Sequence, residues 1–176
     1  MTYSKNSFFT SHAASIEGSG GNMQNDLITF LSIVQKCKVD FLAVMPQPAL
    51  GALGEGGSGT IGQATVTSDM SFAFKQFRGS GDSEDFYLPL ISEVLILSQP
   101  PIQNHPNIVN LEGVCWEINP RSQEVLPVLI FEKAAWDLQQ FMKVGEGINL
   151  SIDHRLDICA DIGRAIMALH DFGKSF

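Results

Sequence analysis

A chain of 176 residues, 44% of them apolar, is large enough for one packed core with an extension. Its 11 Lys and Arg stand against 19 Asp and Glu, a formal net charge of -8, which excludes a clustered basic grip on nucleic acid. Three widely spaced cysteines (Cys37, Cys115, Cys159) and four scattered histidines form no metal-ligand cluster, so reduced core thiols in an intracellular, cytoplasmic protein are expected. The start "MTYSKNSFFTSHAAS" lacks the continuous apolar run of a secretory signal, and no apolar window is long enough for a bilayer, so no membrane partner is expected.

Residues 1–25 are rich in Ser, Gly and Asn and read as a disordered tail, because they offer little to offset the entropy of ordering. A helical extension is expected over 26–48. There Leu27, Phe30, Leu31, Val34 and Phe41 recur at spacings near three and four, Asn25 or Asp26 is the cap, and "MPQP" is the break. Packing or docking is its expected role.

From Ala49, "ALGALGEGG", "TIGQATV" and "SFAFKQF" read as a three-strand antiparallel meander. A helix from about Asp85 through "YLPLISEVLILS" should end at the prolines of "QPPIQNHPN". "NIVNLEGVCWEI" and "VLPVLIFEK" read as two further strands around the turn "NPRSQE", and "DLQQFMKV" as a short helix. "SIDHRLDICADIGRAIMALHDFG" is a long amphipathic helix with Leu156, Cys159, Ala160, Ile162, Gly163, Ile166 and Leu169 on its apolar side.

The glycines of "GEGGSGTIGQA" admit three readings. Gly54, Gly56 and Gly59 have the spacing of a dinucleotide fingerprint, but that motif opens a helix and "TIGQATV" is strand-like. A Walker A loop fails too, since "GKS" at Gly173 to Ser175 has Ala168 where the leading glycine must stand. The third reading is a hairpin whose tip folds over phosphates, which needs a lysine and a carboxylate to hold it. "FAFKQF" supplies Lys75, and Glu93 is the only charge in the helical stretch from Tyr87 to Leu97. Two isolated opposite charges among apolar residues are costly unless they meet, so they are expected to pair rather than stand as a snorkelling lysine and a rim glutamate.

With these residues in this order the chain resembles the eukaryotic protein kinase family, of the Ser/Thr type and closest in flavour to fungal members. "LGEGGSGTI" is similar to the family's glycine-rich loop, "FAFK" to its lysine strand and "SEVLIL" to its αC helix. "HPNIVNLEGV" resembles the lead into its fourth strand, "LIFEKAAWDLQQFM" the fifth strand, hinge and αD, and "RLDICADIGRAIMALHDFG" αE. The resemblance runs from about Ala49 to Gly173. It implies an α+β fold: an N-lobe over 49–131, with a five-stranded antiparallel sheet and αC, then the hinge and the first helices of an incomplete C-lobe, αD and αE, over 132–176.

It also implies ATP as cofactor, with Mg²⁺ expected for the family, and a protein substrate or partner kinase. Gly54, Gly56 and Gly59 would bring backbone over the phosphates. Lys75 would hold the α- and β-phosphates, and Glu93 would orient Lys75. Ile61 and Ala73 would cover the adenine, and Phe131 would be the gatekeeper. The backbones of Glu132 and Ala134 would bond the adenine edge. Asp137 would reach the ribose or cap a short helix, and Leu97 and Leu111 would join a hydrophobic column between lobes.

The family's catalytic loop and metal-binding Asp-Phe-Gly should follow αE, and they do not appear before Phe176. Asp171-Phe172-Gly173 directly follows "AIMALH", so it does not stand in the metal motif's place. The expectation is a partial kinase domain without metal ligands or turnover of its own, its αE face exposed to a protein partner. The alternatives are a pseudokinase-like nucleotide-binding or docking module and a nonfunctional gene fragment.

Overall fold

Asp26 opens the first helix, α1 (Leu27–Lys36), its side chain accepting from the Thr29 N–H at 2.8 Å. The computed structural model describes residues 26–44, 52–55, 59–65, 71–79, 84–118 and 123–174; the expected tail, Gly56 and part of the "NPRSQE" turn lie outside them. Phe30, Ile33 and Val34 form the buried face of α1.

The helix is shorter than its apolar spacing predicts, and Phe41 is not on it. The chain turns at Lys38, which takes a left-handed φ of 56°. The Lys38 N–H donates to the Gln35 carbonyl (3.1 Å) and the Val39 N–H to the Val34 carbonyl (3.0 Å). This is the two-bond Schellman closure, with Val34 and Val39 as its apolar pair.

Five strands follow: β1 (Ala52–Glu55), β2 (Gly59–Thr65), β3 (Ser71–Phe77), β4 (Leu111–Ile118) and β5 (Val125–Glu132). They form one antiparallel sheet in the order β1-β2-β3-β5-β4. Beyond Lys38 the chain runs along the outer edge of β4. The Leu42 N–H donates to the Val114 carbonyl (2.8 Å), and the Val114 N–H to the Asp40 carbonyl (2.9 Å). Phe41 makes a parallel bridge to Val114 and stacks on Trp116. An edge strand with open donors and acceptors invites pairing, and this strap occupies them. Gly113 permits the approach, since a Cβ there would lie 2.7 Å from the Asp40 carbonyl oxygen.

The alternation of "FAFKQF" divides β3 between two cores. On one face Phe77, Leu129, Phe131 and Val114 join a cluster with α1 and with the helix α2 (Glu84–Leu97). On the other, Phe74, Cys115, Val128 and Ile130 pack under Leu42 and Val44 of the strap. Leu97 and Leu111 are partly buried against the first cluster. The prolines after α2 do more than end it. Pro100 and Pro101 open a further turn of helix, α3 (Pro100–Gln103), at positions where their missing N–H groups are not needed.

After the sheet come α4 (Leu138–Phe141), α5 (Gly145–Ile148) and α6 (Ile152–Lys174). Leu156, Ile162, Ile166 and Leu169, on the expected apolar side of α6, are exposed, as is Met167. Cys159 is exposed with them and is no core thiol: α6 leaves this side uncovered among the described residues. No described helix is long and apolar enough to cross a membrane.

Two predictions come from this architecture. Lys38→Gly relieves a left-handed side-chain position and should raise stability by about 0.5–1 kcal/mol, seen as a higher urea midpoint with unchanged slope. Burial, helped by the charge of Glu117, pushes the Cys115 thiol up to about 12. Alkylation followed by mass spectrometry should therefore mark Cys159 promptly and Cys115 only after unfolding.

Candidate functional site

Lys75 lies on β3 between its strand partners, opposite Ile61 on β2 and Leu129 on β5. Its pleat position turns it toward the face covered by α2. Glu93, one turn after Leu90 on that helix, meets it there. Lys75 Nζ donates to Glu93 Oε1 at 2.8 Å and to Oε2 at 2.5 Å. The side chains are only 20% and 23% exposed, so each charge has lost most of its water and depends on the other. The ammonium also lies 5.0 Å from the centre of the Phe77 ring, a second favourable contact for a cation.

The pair stands in the wall of a cleft of about 440 Å³. Ile61 and Ala73 reach it from β2 and β3, and Phe131 and Glu132 from the end of β5; Ala134 and Asp137 follow along the chain just beyond that strand. This is ligand-site architecture: mostly apolar walls with a few charges gathered at defined points.

Of the residues singled out from sequence, Ile61, Ala73, Lys75, Glu93, Phe131, Glu132, Ala134 and Asp137 share this cleft. Gly54 pairs with Ile61 across β1 and β2. Gly59 opens β2 opposite Phe77, and a Cβ there would overlap the Gln76 carbonyl, so the close approach of β2 to β3 itself requires glycine. Asp137 caps α4, its Oδ1 accepting from the Gln140 N–H at 2.7 Å.

Four wall residues were not foreseen: Val109, Ala135, Trp136 and Gln140. The last three neighbour expected positions in the chain. Val109 comes from the approach to β4 and is placed by a long-range tie. The Asn110 N–H donates to Glu132 Oε1 (3.0 Å), and the Glu132 N–H donates back to the Asn110 carbonyl (3.3 Å). The apolar pair Ile108-Val109 between two asparagines in "NIVN" was the available signal.

Below the cleft, α6 is fastened by Asn107, whose Nδ2 donates to Asp161 Oδ1 (2.7 Å) and to the Asp161 carbonyl (3.1 Å). Arg164 pairs with the same carboxylate. The Arg164 hydrogen bond, then that of Asn107, holds the Asp161 carboxyl below its ordinary 3.8. A depressed carboxylate stabilises the fold above the ordinary value and loses that contribution as pH falls through the lower, folded one. The Asn107 side-chain amide resonances should therefore shift only below about pH 3.8, as the bond to Oδ1 weakens while that to the carbonyl stays, and Asp161→Asn should abolish the transition.

Among the described residues, no three His, Cys, Asp or Glu side chains gather where they could hold a metal ion.

Against known proteins, the chain is 27% identical over 122 residues to a cyclin-dependent kinase 4 homolog of Caenorhabditis elegans. That alignment covers 68% of this chain but 29% of the relative's length. No protein-family model matches the chain. The similarity supports a relationship to protein kinases at that general level.

Proposed function

We propose that this chain is the nucleotide-holding part of a protein-kinase-like protein, of the Ser/Thr type. The observation that carries the reading is the Lys75–Glu93 pair at the wall of an apolar cleft, 2.8 and 2.5 Å between charged atoms. In this reading α2 is the family's αC, α4 its αD and α6 its αE. ATP is the ligand. Ile61 and Ala73 cover the adenine, Phe131 closes the back of the slot, and the backbones of Glu132 and Ala134 take the adenine edge. Asp137, with Oδ1 committed to its cap, offers Oδ2 to the ribose.

Lys75 supplies the positive charge for the α- and β-phosphates, and Glu93 keeps the ammonium from turning elsewhere. Gly54 and Gly59 bring β1 and β2 close to the same phosphates. Mg²⁺ would neutralise phosphate charge in the family's reaction, but the described residues do not assemble a site that fits it. Transfer of the γ-phosphoryl group to a protein hydroxyl is the activity we propose for the whole protein. The similarity to a cyclin-dependent kinase homolog and the placement of the cleft residues support it.

Calorimetric titration with ATP and with adenosine tests the reading. ATP should bind the wild-type chain and raise its melting temperature. Lys75→Met should weaken ATP about ten- to a hundredfold, the effect of one charge-assisted contact, while leaving adenosine nearly unchanged. Ala73→Leu, which fills the roof of the slot, should weaken both. Absence of binding at millimolar ATP, or equal ATP affinity in Lys75→Met, would overturn the proposal.

A further inference from the structure

We infer that α1 is an intramolecular brace that sets the position of Glu93, with Phe30 as its positioning residue; the inference rests on the reading of Lys75–Glu93 as the phosphate-holding pair. Three observations carry it. First, α1 and α2 pack against each other within the one buried cluster that also takes in Phe77, Leu129 and Phe131 of the sheet. The seat of α2 is therefore set by α1 as well as by the sheet to which Glu93 must reach.

Second, the contact is dry and centred on Phe30. That side chain is fully buried, its ring centre 6.2 Å from that of Tyr87, which meets Phe86 edge-on at 5.0 Å. Phe86, Tyr87, Leu90, Ile91 and Val94 form one apolar arc of α2, and at 100° per residue Glu93 lies at the margin of that arc. Rotation of the helix about its axis therefore moves the carboxylate toward or away from Lys75. The arc's packing sets that rotation, and interiors packed this tightly adopt discrete arrangements rather than drifting.

Third, α1 is itself anchored to the sheet by a route that does not pass through α2. The turn at Lys38 leads directly into the strap bonded to Val114 at 2.8 and 2.9 Å. The brace thus spans from the β4 edge, over the cluster, to the helix that carries Glu93. Segments before the sheet are in this way coupled to the cleft, with α1 as the element that holds Glu93 in reach.

Acylation of lysines by an activated ester, read peptide by peptide, tests this without nucleotide. In the wild-type chain the ion pair shields Lys75. Glu93→Gln should label Lys75 several-fold faster, and Phe30→Ala should reach the same rate, with Lys133 and Lys143 unchanged. The double variant Phe30→Ala/Glu93→Gln should be no faster than Glu93→Gln alone, because both act through one contact. A merely structural role for Phe30 would speed all three lysines together.

If Phe30→Ala unfolds the chain, the milder Phe30→Leu decides: a smaller rise confined to Lys75 supports the brace. An unchanged Lys75 rate in either folded variant, or a rise shared by all lysines in Phe30→Leu, overturns it. In the nucleotide arm, Phe30→Ala should weaken ATP several-fold and leave adenosine alone. A wild-type chain that binds neither ligand defeats the nucleotide reading, while the labelling result still judges the brace.

Discussion

Lys75 and Glu93 are set on different elements, each among apolar neighbours and about four-fifths removed from solvent. A charge stripped of water is costly alone, and attraction across 2.5 to 2.8 Å offsets that cost only while both partners keep their places. The pair therefore imposes a constraint that runs outward. Strand β3 must present Lys75 to the side covered by α2, the helix must turn Glu93 to meet it, and whatever packs behind the helix must keep it there. The alternation of β3 satisfies the first condition. The apolar arc from Phe86 to Val94 satisfies the second, and α1 the third.

The remaining architecture follows from fixing those pieces to one another. The left-handed turn at Lys38 reverses the chain out of α1, and the strap closes the open edge of β4. Leu42 and Val44 then cover the second face of the sheet, so both faces of β3 are packed. A strand packed on both faces is a stiff platform for a lysine that must hold position. The reciprocal bonds between Asn110 and Glu132 join the entry of β4 to the end of β5 and bring Val109 and Phe131 to the same cleft.

What could be read from the sequence was whatever short-range chemistry encodes. Two-residue alternation marks β3, a lone glutamate in an apolar helix marks Glu93, and a lone lysine in an apolar strand marks its partner. The order of strands and helices, Lys75 and Glu93 were legible for that reason, whereas Ile61, Ala73, Phe131, Glu132, Ala134 and Asp137 were expected only through the resemblance to protein kinases. The end of α1 was not. Phe41 follows Val34 by seven residues, two helical turns, so periodicity alone carries the helix past its stop. The residue at the left-handed position is lysine, so the glycine that usually announces such a turn is missing.

The strap, Val109 and the role of Phe30 depend on partners distant in the chain, which periodicity does not specify. Apolar spacing says that Phe30 is buried; it does not say that Tyr87 is what buries it. The exposed face of α6 is a related case: its amphipathic pattern is plain in the sequence, yet pattern alone does not reveal which described element, if any, covers it.

A double-mutant cycle tests the central claim most directly. Lys75→Met, Glu93→Gln and the double variant would be unfolded in urea beside the wild-type chain. Each single change strands one charge, whereas the double removes both. The account predicts that the double variant is more stable than the two single losses summed, by about 1 kcal/mol or more. Losses that simply add, to within about 0.3–0.5 kcal/mol, would contradict it: the two charges would then not depend on each other, and the constraint that organises sheet, helix and brace would not exist.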